Sequence, residues 1–93
     1  MTVILTRSQD VEGIKGRTFV LTGKMRMDRF SVSTRIHNCG GFTENRCALK
    51  VDYLVQADQE WGRETTKTRG ARNIGIPVVS ERALFDALNK ESK

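Results

Sequence analysis

Apolar and polar positions along the chain first predict a strand and then a helix. Residues 17–22 (Arg-Thr-Phe-Val-Leu-Thr) carry apolar side chains on both faces and stop at Gly23, which is typical of a buried strand in a parallel sheet. Over residues 28–39 the apolar positions recur at helical spacing instead, and Gly40-Gly41 ends the run. The first residue of that segment is Asp28, an acid suited to the N-cap or to the first turn of a helix, so we expect an amphipathic helix to begin there.

The rest of the chain repeats this alternation of strands and helices. Residues 52–56 (Asp-Tyr-Leu-Val-Gln) predict another buried strand, and the polar segment 57–64 after it predicts a loop that carries the only tryptophan, Trp61. The other expected elements are a very short strand at residues 42–43, a helix over about residues 65–74 that stops at Gly75, a strand over residues 77–79, and a helix capped by Ser80 that runs through Lys90.

The resulting order, β-α-β-β-α-β-α, predicts an α/β fold. Strands that are joined through helices must cross over and lie parallel, and the helices then cover the faces of the sheet. We expect one domain over residues 13–90, a tail or short extension over residues 1–12, and a frayed end over residues 91–93. Ligands of open parallel sheets bind beyond the carboxyl ends of the strands, where the strand order reverses. A first strand lying between the second and the third would place that reversal beside Thr22-Gly23.

Positive charge is concentrated in two short segments. The chain has a net charge of +5 and a pI near 9.7, which favours polyanionic partners. Segments 24–29 and 63–72 together hold seven positive and two negative side chains, which equals the whole net charge. Their positive residues are Lys24, Arg26, Arg29, Arg63, Lys67, Arg69 and Arg72. A fold that brings the segments together would create one basic crevice, and the alternative is charge spread over a solvated surface.

Residue types that indicate catalysis or metal binding are too few. Two cysteines, Cys39 and Cys47, and one histidine, His37, make neither a disulfide framework nor a zinc site. We can place no paired carboxylates, Cys–His set or P-loop, so we expect no catalytic residues, metal or cofactor. No apolar run approaches the roughly 20 residues of a membrane helix, and the N-terminus has too short an apolar run for a signal peptide. We therefore expect an intracellular protein with no membrane partner.

Four segments resemble a BRCT domain in their order and spacing. They are residues 13–23, residues 40–42 (Gly-Gly-Phe), residues 52–55 (Asp-Tyr-Leu-Val) and residues 75–80 (Gly-Ile-Pro-Val-Val-Ser). The resemblance covers about residues 13–90 and is strongest to the BRCT domains of bacterial NAD-dependent DNA ligases and of the large subunit of replication factor C. It implies a four-stranded parallel sheet in the order 2-1-3-4 flanked by three helices. It also favours the bacterial cytoplasm or nucleoid over a nucleus.

The resemblance also implies a phosphate site. BRCT domains that bind phosphate are similar to one another in a Ser/Thr-Gly pair at the end of the first strand and a lysine in the second helix, which Thr22, Gly23 and Lys67 match. Arg29 matches the arginine that opens the first helix. A threonine hydroxyl, a glycine N–H, a guanidinium and an ammonium are all suited to phosphate oxygens. The alternatives without ligand binding are a turn at Thr22-Gly23 and solvated surface charges at Arg29 and Lys67.

Five further cations would contact neighbouring phosphates of a DNA backbone and make binding sensitive to salt. They are Lys24, Arg26, Arg63, Arg69 and Arg72. The chain departs from its relatives at Gly70, where they often carry lysine, and this weakens the second helix. The sequence leaves two roles for Trp61: it stacks on a base or a partner, or it covers the edge of the core.

The expected function is a non-catalytic phosphate-recognising module that binds 5′-phosphorylated DNA ends or nicks in replication or repair machinery, as a fragment of a DNA ligase. We expect a monomer. The first alternative is a protein-interaction module that binds a phosphopeptide or an unmodified replication or repair protein. The second is a non-binding appendage that positions a larger enzyme.

Overall fold

The predicted order of strands and helices is confirmed in a computed structural model, which describes residues 11–46 and 48–91. The elements are β1 (Thr18–Thr22), α1 (Arg29–Asn38), β2 (Phe42–Glu44), β3 (Tyr53–Gln56), a single 3-10 turn (Asp58–Glu60), α2 (Thr66–Asn73), β4 (Val78–Ser80) and α3 (Glu81–Glu91). The 3-10 turn within the loop 57–64 was not predicted. The last strand begins one residue later than expected, since Pro77 precedes it and contributes only its carbonyl, which accepts from the Leu54 N–H at 3.0 Å.

All four strands are parallel, in the order β2-β1-β3-β4, as the resemblance implied. β1 is central: Phe19 lies beside Thr43 of β2 and beside Tyr53 of β3. A strand with neighbours on both edges and helices on both faces has to be apolar throughout, and the middle of β1 is fully buried. The chain leaves β1 toward β2 on one side and reaches β3 on the other, so the strand order reverses at the carboxyl end of β1.

Two apolar clusters fill the space between the sheet and its helices. On one face, Val32 and Ile36 of α1 and Leu84 and Leu88 of α3 pack on the sheet, and all four are fully buried. On the other face, α2 contributes only Ala71 to the apolar cluster. The helix α2 is therefore attached through a small contact area, which leaves most of its surface for polar side chains.

The glycine pair after α1 ends the helix, as expected, and Gly41 also packs closely against its neighbours. A Cβ atom on Gly41 would lie 2.8 Å from the Ile14 carbonyl oxygen and 2.8 Å from Cγ2 of Ile36. Any side chain there would push the segment before β1 away from α1. The pair ends α1 and lets β2 begin directly against the core.

The domain limits remain a prediction. Residues 1–10 and 92–93, which include most of the expected tail and the expected frayed end, lie outside the described residues. Val11 is buried in the main cluster, and the Glu12 N–H donates to the Tyr53 hydroxyl at 3.3 Å. Cys47 also lies outside the described residues, and Cys39 is half-buried beside the core.

Candidate functional site

The loop that leaves β1 turns sharply at Gly23. The Thr22 carbonyl accepts from the Ala57 N–H at 3.0 Å, and Gly23 then adopts a φ of +86°, which side-chain-bearing residues rarely adopt. A Cβ atom on Gly23 would lie 3.0 Å from Cβ of Ala57 and 3.2 Å from Oε1 of Glu60. Conformation and close packing therefore account for glycine at this position, and contact of its N–H with a phosphate stays a prediction.

A buried carboxylate ties the loop after β1 to the loop after β3. Glu81, at the start of α3, is 1% exposed. Its Oε2 accepts from the Arg26 N–H at 2.9 Å and its Oε1 accepts from the Asp58 N–H at 3.1 Å. In return the Asp58 carboxylate accepts from the Arg82 N–H at 3.1 Å, in the first turn of α3. These bonds to backbone groups fix the two loops where the strand order reverses.

Asp28 is the N-cap of α1, one of the two roles expected for it, and orders the first turn that carries Arg29. Its carboxylate accepts from the Ser31 hydroxyl at 2.7 Å and from the Ser31 N–H at 3.4 Å. The hydroxyl bond in particular holds the pKa of Asp28 below its usual value. Arg29 follows the cap directly, and its Nη2 donates to the Gly23 carbonyl at 3.5 Å.

Lys67 is likewise placed by a helix start. Thr65 caps α2 in a reciprocal arrangement: its hydroxyl accepts from the Thr68 N–H at 3.2 Å, and the Thr65 N–H donates to the Thr68 hydroxyl at 2.8 Å. Lys67 lies in the first turn of α2, where the positive end of the helix dipole favours an anion.

Arg29 and Lys67 line one open cleft of about 430 Å³. They reach it from helices on opposite faces of the sheet, past the carboxyl ends of β1 and β2. The other lining residues are Leu21, Phe30, Ser33, Thr43, Glu44 and Asn45. Glu44 is paired with Lys50, with 3.2 Å between Oε2 and Nζ. Lys50, which is not among the lining residues, therefore partly neutralises the negative charge that Glu44 brings to the cleft.

A second, shallower cavity of about 520 Å³ adjoins the first. It is lined by residues 23–29, so Gly23, Lys24 and Arg26 share it with Arg29. The structure thus brings Arg29 together with Lys67 in one cavity and with Gly23 in the next. Thr22, the remaining member of the predicted set, lines neither of the two.

The other predicted backbone-contacting cations differ in their surroundings. Arg69 and Arg72 both donate to Glu64, with Nε–Oε2 at 3.3 Å and Nη1–Oε1 at 2.6 Å. These bonds, chiefly the one from Arg72, hold the pKa of Glu64 below its usual value. Arg63 is exposed, and its carbonyl accepts from the Gln56 side chain at 2.9 Å. The basic segment 63–72 is therefore divided between Lys67, which lines the cleft, and a surface ion-pair cluster of Glu64, Arg69 and Arg72.

Six residues of the cleft were not predicted as site residues from the sequence: Leu21, Phe30, Ser33, Thr43, Glu44 and Asn45. Phe30 carries the clearest signal in retrospect, because it is a large apolar residue two positions before Val32 and therefore lies off the buried stripe of α1. Its side chain is 80% exposed. Ser33 and Thr43 carry no such signal, since their shared hydroxyl bond of 2.9 Å joins α1 to β2 only after folding. Trp61 is half-buried after the 3-10 turn and is not among the residues that line the cleft.

The cleft combines two cations, hydroxyl and amide groups and one exposed aromatic ring, a set suited to binding an anion that also carries a flat apolar group. Over residues 11–46 and 48–91, no three His, Cys, Asp or Glu side chains come together as a metal site would need. No helix within those ranges has the length and apolar character to span a membrane.

No protein-family model matches the chain. Similar proteins are the DNA ligase of Methylacidiphilum infernorum, 32% identical over 87 residues and 92% of this chain, and the DNA ligase of a Synechococcus species, 40% identical over 80 residues and 85% of this chain. The chain spans about 12% and 11% of the length of these two relatives.

Comparison with a solved structure identifies the fold. The C-terminal BRCT domain of human XRCC1 superposes with a TM-score of 0.65, at 20% identity, over 86% of this chain and 81% of that one. The strand order β2-β1-β3-β4 with three helices agrees with that fold. From its strand order, this superposition and its likeness to a segment of bacterial DNA ligases, the chain is a BRCT domain.

Proposed function

We propose that this BRCT domain is a non-catalytic module that recognises a phosphate and binds DNA at a 5′-phosphorylated end or nick. The observation that carries the proposal is the cleft at the carboxyl ends of β1 and β2, which Arg29 and Lys67 line from two different helices. Such a position is where ligands of open parallel sheets bind. The similarity of the chain to segments of DNA ligases indicates a module of DNA replication or repair machinery.

Two cations of different shape are well suited to one phosphate. The Arg29 guanidinium offers a planar pair of donors, and the Lys67 ammonium offers a compact point charge. Lys24 and Arg26 line the adjoining cavity and extend the positive surface. Since these groups lie side by side along the rim, neighbouring backbone phosphates of a duplex can bind there while the terminal phosphate occupies the cleft.

We further propose that the chain is the BRCT part of a DNA ligase or of another replication or repair protein. The matched ligases are about eight times longer than this chain, which covers about 12% of their length. Catalysis would then reside in the remainder of such a protein, and this part would hold the DNA. Gly23 lines the adjoining cavity, and contact of its N–H and of the Thr22 hydroxyl with the phosphate is part of this proposal.

The test compares binding of a 5′-phosphorylated duplex with binding of the same duplex carrying a 5′-hydroxyl. We expect the phosphorylated end to bind roughly tenfold more tightly, as one or two charge-assisted hydrogen bonds provide. The Lys67→Ala variant should lose this preference and keep weak binding to both duplexes. The Arg72→Ala variant is the matched control, because Arg72 lies on the same helix, is bonded to Glu64 and is not among the residues that line the cleft.

Fluorescence anisotropy at about 50 and about 200 mM salt separates the two contributions, because nonspecific backbone contacts weaken steeply with salt. Equal affinity for the two duplexes in the unmodified domain would refute phosphate-end recognition. Loss of the preference in Arg72→Ala as well as Lys67→Ala would refute the assignment to the cleft.

Exposed apolar side chains favour a second candidate, a protein-interaction module. Phe30, Phe42 and Leu49 are 80%, 54% and 85% exposed. Phe30 lines the cleft, so an apolar side chain next to a phosphorylated residue of a peptide could contact it. A phosphoserine peptide that displaces the labelled 5′-phosphorylated duplex at equal or lower concentration would favour this candidate.

A further inference from the structure

Phe30 is exposed although the helix that carries it has a complete buried face. Val32 and Ile36 supply that face and are fully buried, whereas Phe30 is 80% exposed. A single exposed aromatic residue is common on a protein surface. Phe30, however, directly follows Arg29 in the first turn of α1, and both residues line the cleft with Lys67. An exposed aromatic ring beside two cations is suited to a nucleotide, whose base can contact the ring while its phosphate contacts the cations.

We propose that Phe30 is a stacking platform for the base of the terminal nucleotide whose 5′-phosphate lies between Arg29 and Lys67; this rests on the function proposed above. Adjacent residues of a helix point about 100° apart, so the guanidinium and the ring can contact the phosphate and the base of one nucleotide. Base–aromatic stacking is tolerant of sequence, because every base has a π face.

The remaining lining of the cleft favours a base over an apolar peptide side chain. Ser33 and Thr43 share a hydroxyl bond at 2.9 Å, and Asn45 presents an exposed amide. These groups line the same cleft as the ring, and their donors and acceptors match the polar edge of a base, whereas an aliphatic side chain offers them no hydrogen bond.

Stacking also selects among DNA structures. At a blunt or recessed 5′ end the outer face of the terminal base is free, so the Phe30 ring can cover it. At a nick the same face is covered by the neighbouring base pair, and the ring would have to displace it at the expense of unstacking. Among the proposed 5′-phosphorylated ligands, we therefore expect blunt or recessed ends and gaps to bind more tightly than a nick that carries the same 5′-phosphate.

The experiment removes the ring and the base separately. Three variants are used: Phe30→Ala, Phe30→Trp, and Phe42→Ala as a control, since Phe42 is exposed on β2 but is not among the residues that line the cleft. Each is titrated with a 5′-phosphorylated blunt duplex, with the same duplex carrying an abasic tetrahydrofuran at its 5′ nucleotide, and with the 5′-hydroxyl duplex. Amide NMR spectra verify that each variant is folded.

We expect Phe30→Ala to bind the phosphorylated blunt duplex roughly tenfold more weakly than the unmodified domain, as loss of one stacked base implies. On the abasic duplex the two proteins should bind equally. Phe30→Trp should restore the affinity, and Phe42→Ala should leave it unchanged.

An unchanged affinity in Phe30→Ala, or an equal loss on the abasic duplex, would overturn the stacking proposal while the preference for a 5′-phosphate still stands. Absence of any 5′-phosphate preference in the unmodified domain would instead overturn the proposed function together with this inference. A phosphoserine peptide that binds more tightly than the duplex and depends equally on Phe30 would assign the ring to a peptide side chain and overturn it as well.

Discussion

The two sides of α2 carry basic side chains that lie in different surroundings. Lys67 lines the cleft with Arg29, whereas Arg69 and Arg72 are bonded to Glu64 at 3.3 and 2.6 Å. Residues 67 and 69 are two positions apart and point about 200° apart on a helix, so the two groups lie on different sides of it. Position distinguishes the two sides: Lys67 lies at the cleft, and the two arginines lie at the Glu64 carboxylate.

This contrast changes the meaning of the basic segment 63–72. Its cations contribute to the net charge of +5, which attracts polyanions from a distance. Close contact is a separate matter, because a phosphate that approaches Arg69 or Arg72 has to compete with the Glu64 carboxylate. We therefore expect the cleft to supply specificity and the Glu64 cluster to supply little beyond general attraction.

The largest expected effect comes from the carboxylate that positions the cleft side. Replacing Glu81 with alanine should lower the free energy of unfolding by about 2–3 kcal/mol, because the N–H groups of Arg26 and Asp58 lose a buried charged acceptor. The loop 23–28 should then loosen, and the preference for a 5′-phosphate should fall with it. Urea unfolding followed by circular dichroism measures the change in stability.

Asp86 provides the control for Glu81, since it is an exposed acid on the same helix. The Asp86→Ala variant should unfold within about 0.5 kcal/mol of the unmodified domain. A Glu81→Ala variant that is as stable as this control would contradict the role of Glu81 in joining the two loops.

The next effect concerns α2 as a whole, which carries both sides of the comparison. Gly70 lies inside α2, and a Cβ atom there would meet nothing within 4 Å, so Gly70→Ala should stabilise the domain by about 0.5–1 kcal/mol. Gly75 also has open space around it but adopts a φ of +82°, so Gly75→Ala should destabilise the domain by about 1 kcal/mol.

Thermal unfolding of the two glycine variants should therefore shift in opposite directions, although both changes add one methyl group into open space. Affinity for the phosphorylated duplex should stay the same in Gly70→Ala. A shift of both variants in the same direction would contradict the difference in backbone conformation between the two glycines.

Most of the fold could be predicted from the sequence because its signals are local or periodic. The apolar run of β1, the stripe of α1 and the Asp28 cap each lie within a few residues, and the resemblance to BRCT domains supplied the strand order. Local patterns do not reveal contacts between distant residues. The bonds from Glu81 to Arg26 and Asp58 span 55 and 23 residues, and no local pattern indicates them.

The site could be predicted less completely for the same reason. Arg29 and Lys67 were found through the resemblance, and the structure brings them to one cleft. Whether each binds phosphate stays a prediction, as it does for Thr22 and Gly23. Pairing of Arg69 and Arg72 with Glu64 depends on how α2 follows its preceding loop, so a charge window could not distinguish these two arginines from Lys67.

The smallest expected effect tests the Glu64 cluster directly. Because Arg72 and Arg69 hold the pKa of Glu64 below its ordinary value of 4.5, the folded state binds the proton less tightly than the unfolded chain does. The stabilisation from this pairing is thus fully present above about pH 4.5 and is lost as the pH falls through the lowered pKa. A carboxyl NMR titration should give a midpoint for Glu64 below 4.5, and Arg72→Ala should move it upward.

The Glu64→Gln variant should bind both duplexes roughly twofold more tightly and with a steeper salt dependence, because it frees two arginines for phosphates. The ratio of the affinities for the two duplexes should stay constant. A change in that ratio would mean that the two sides of α2 act as one site.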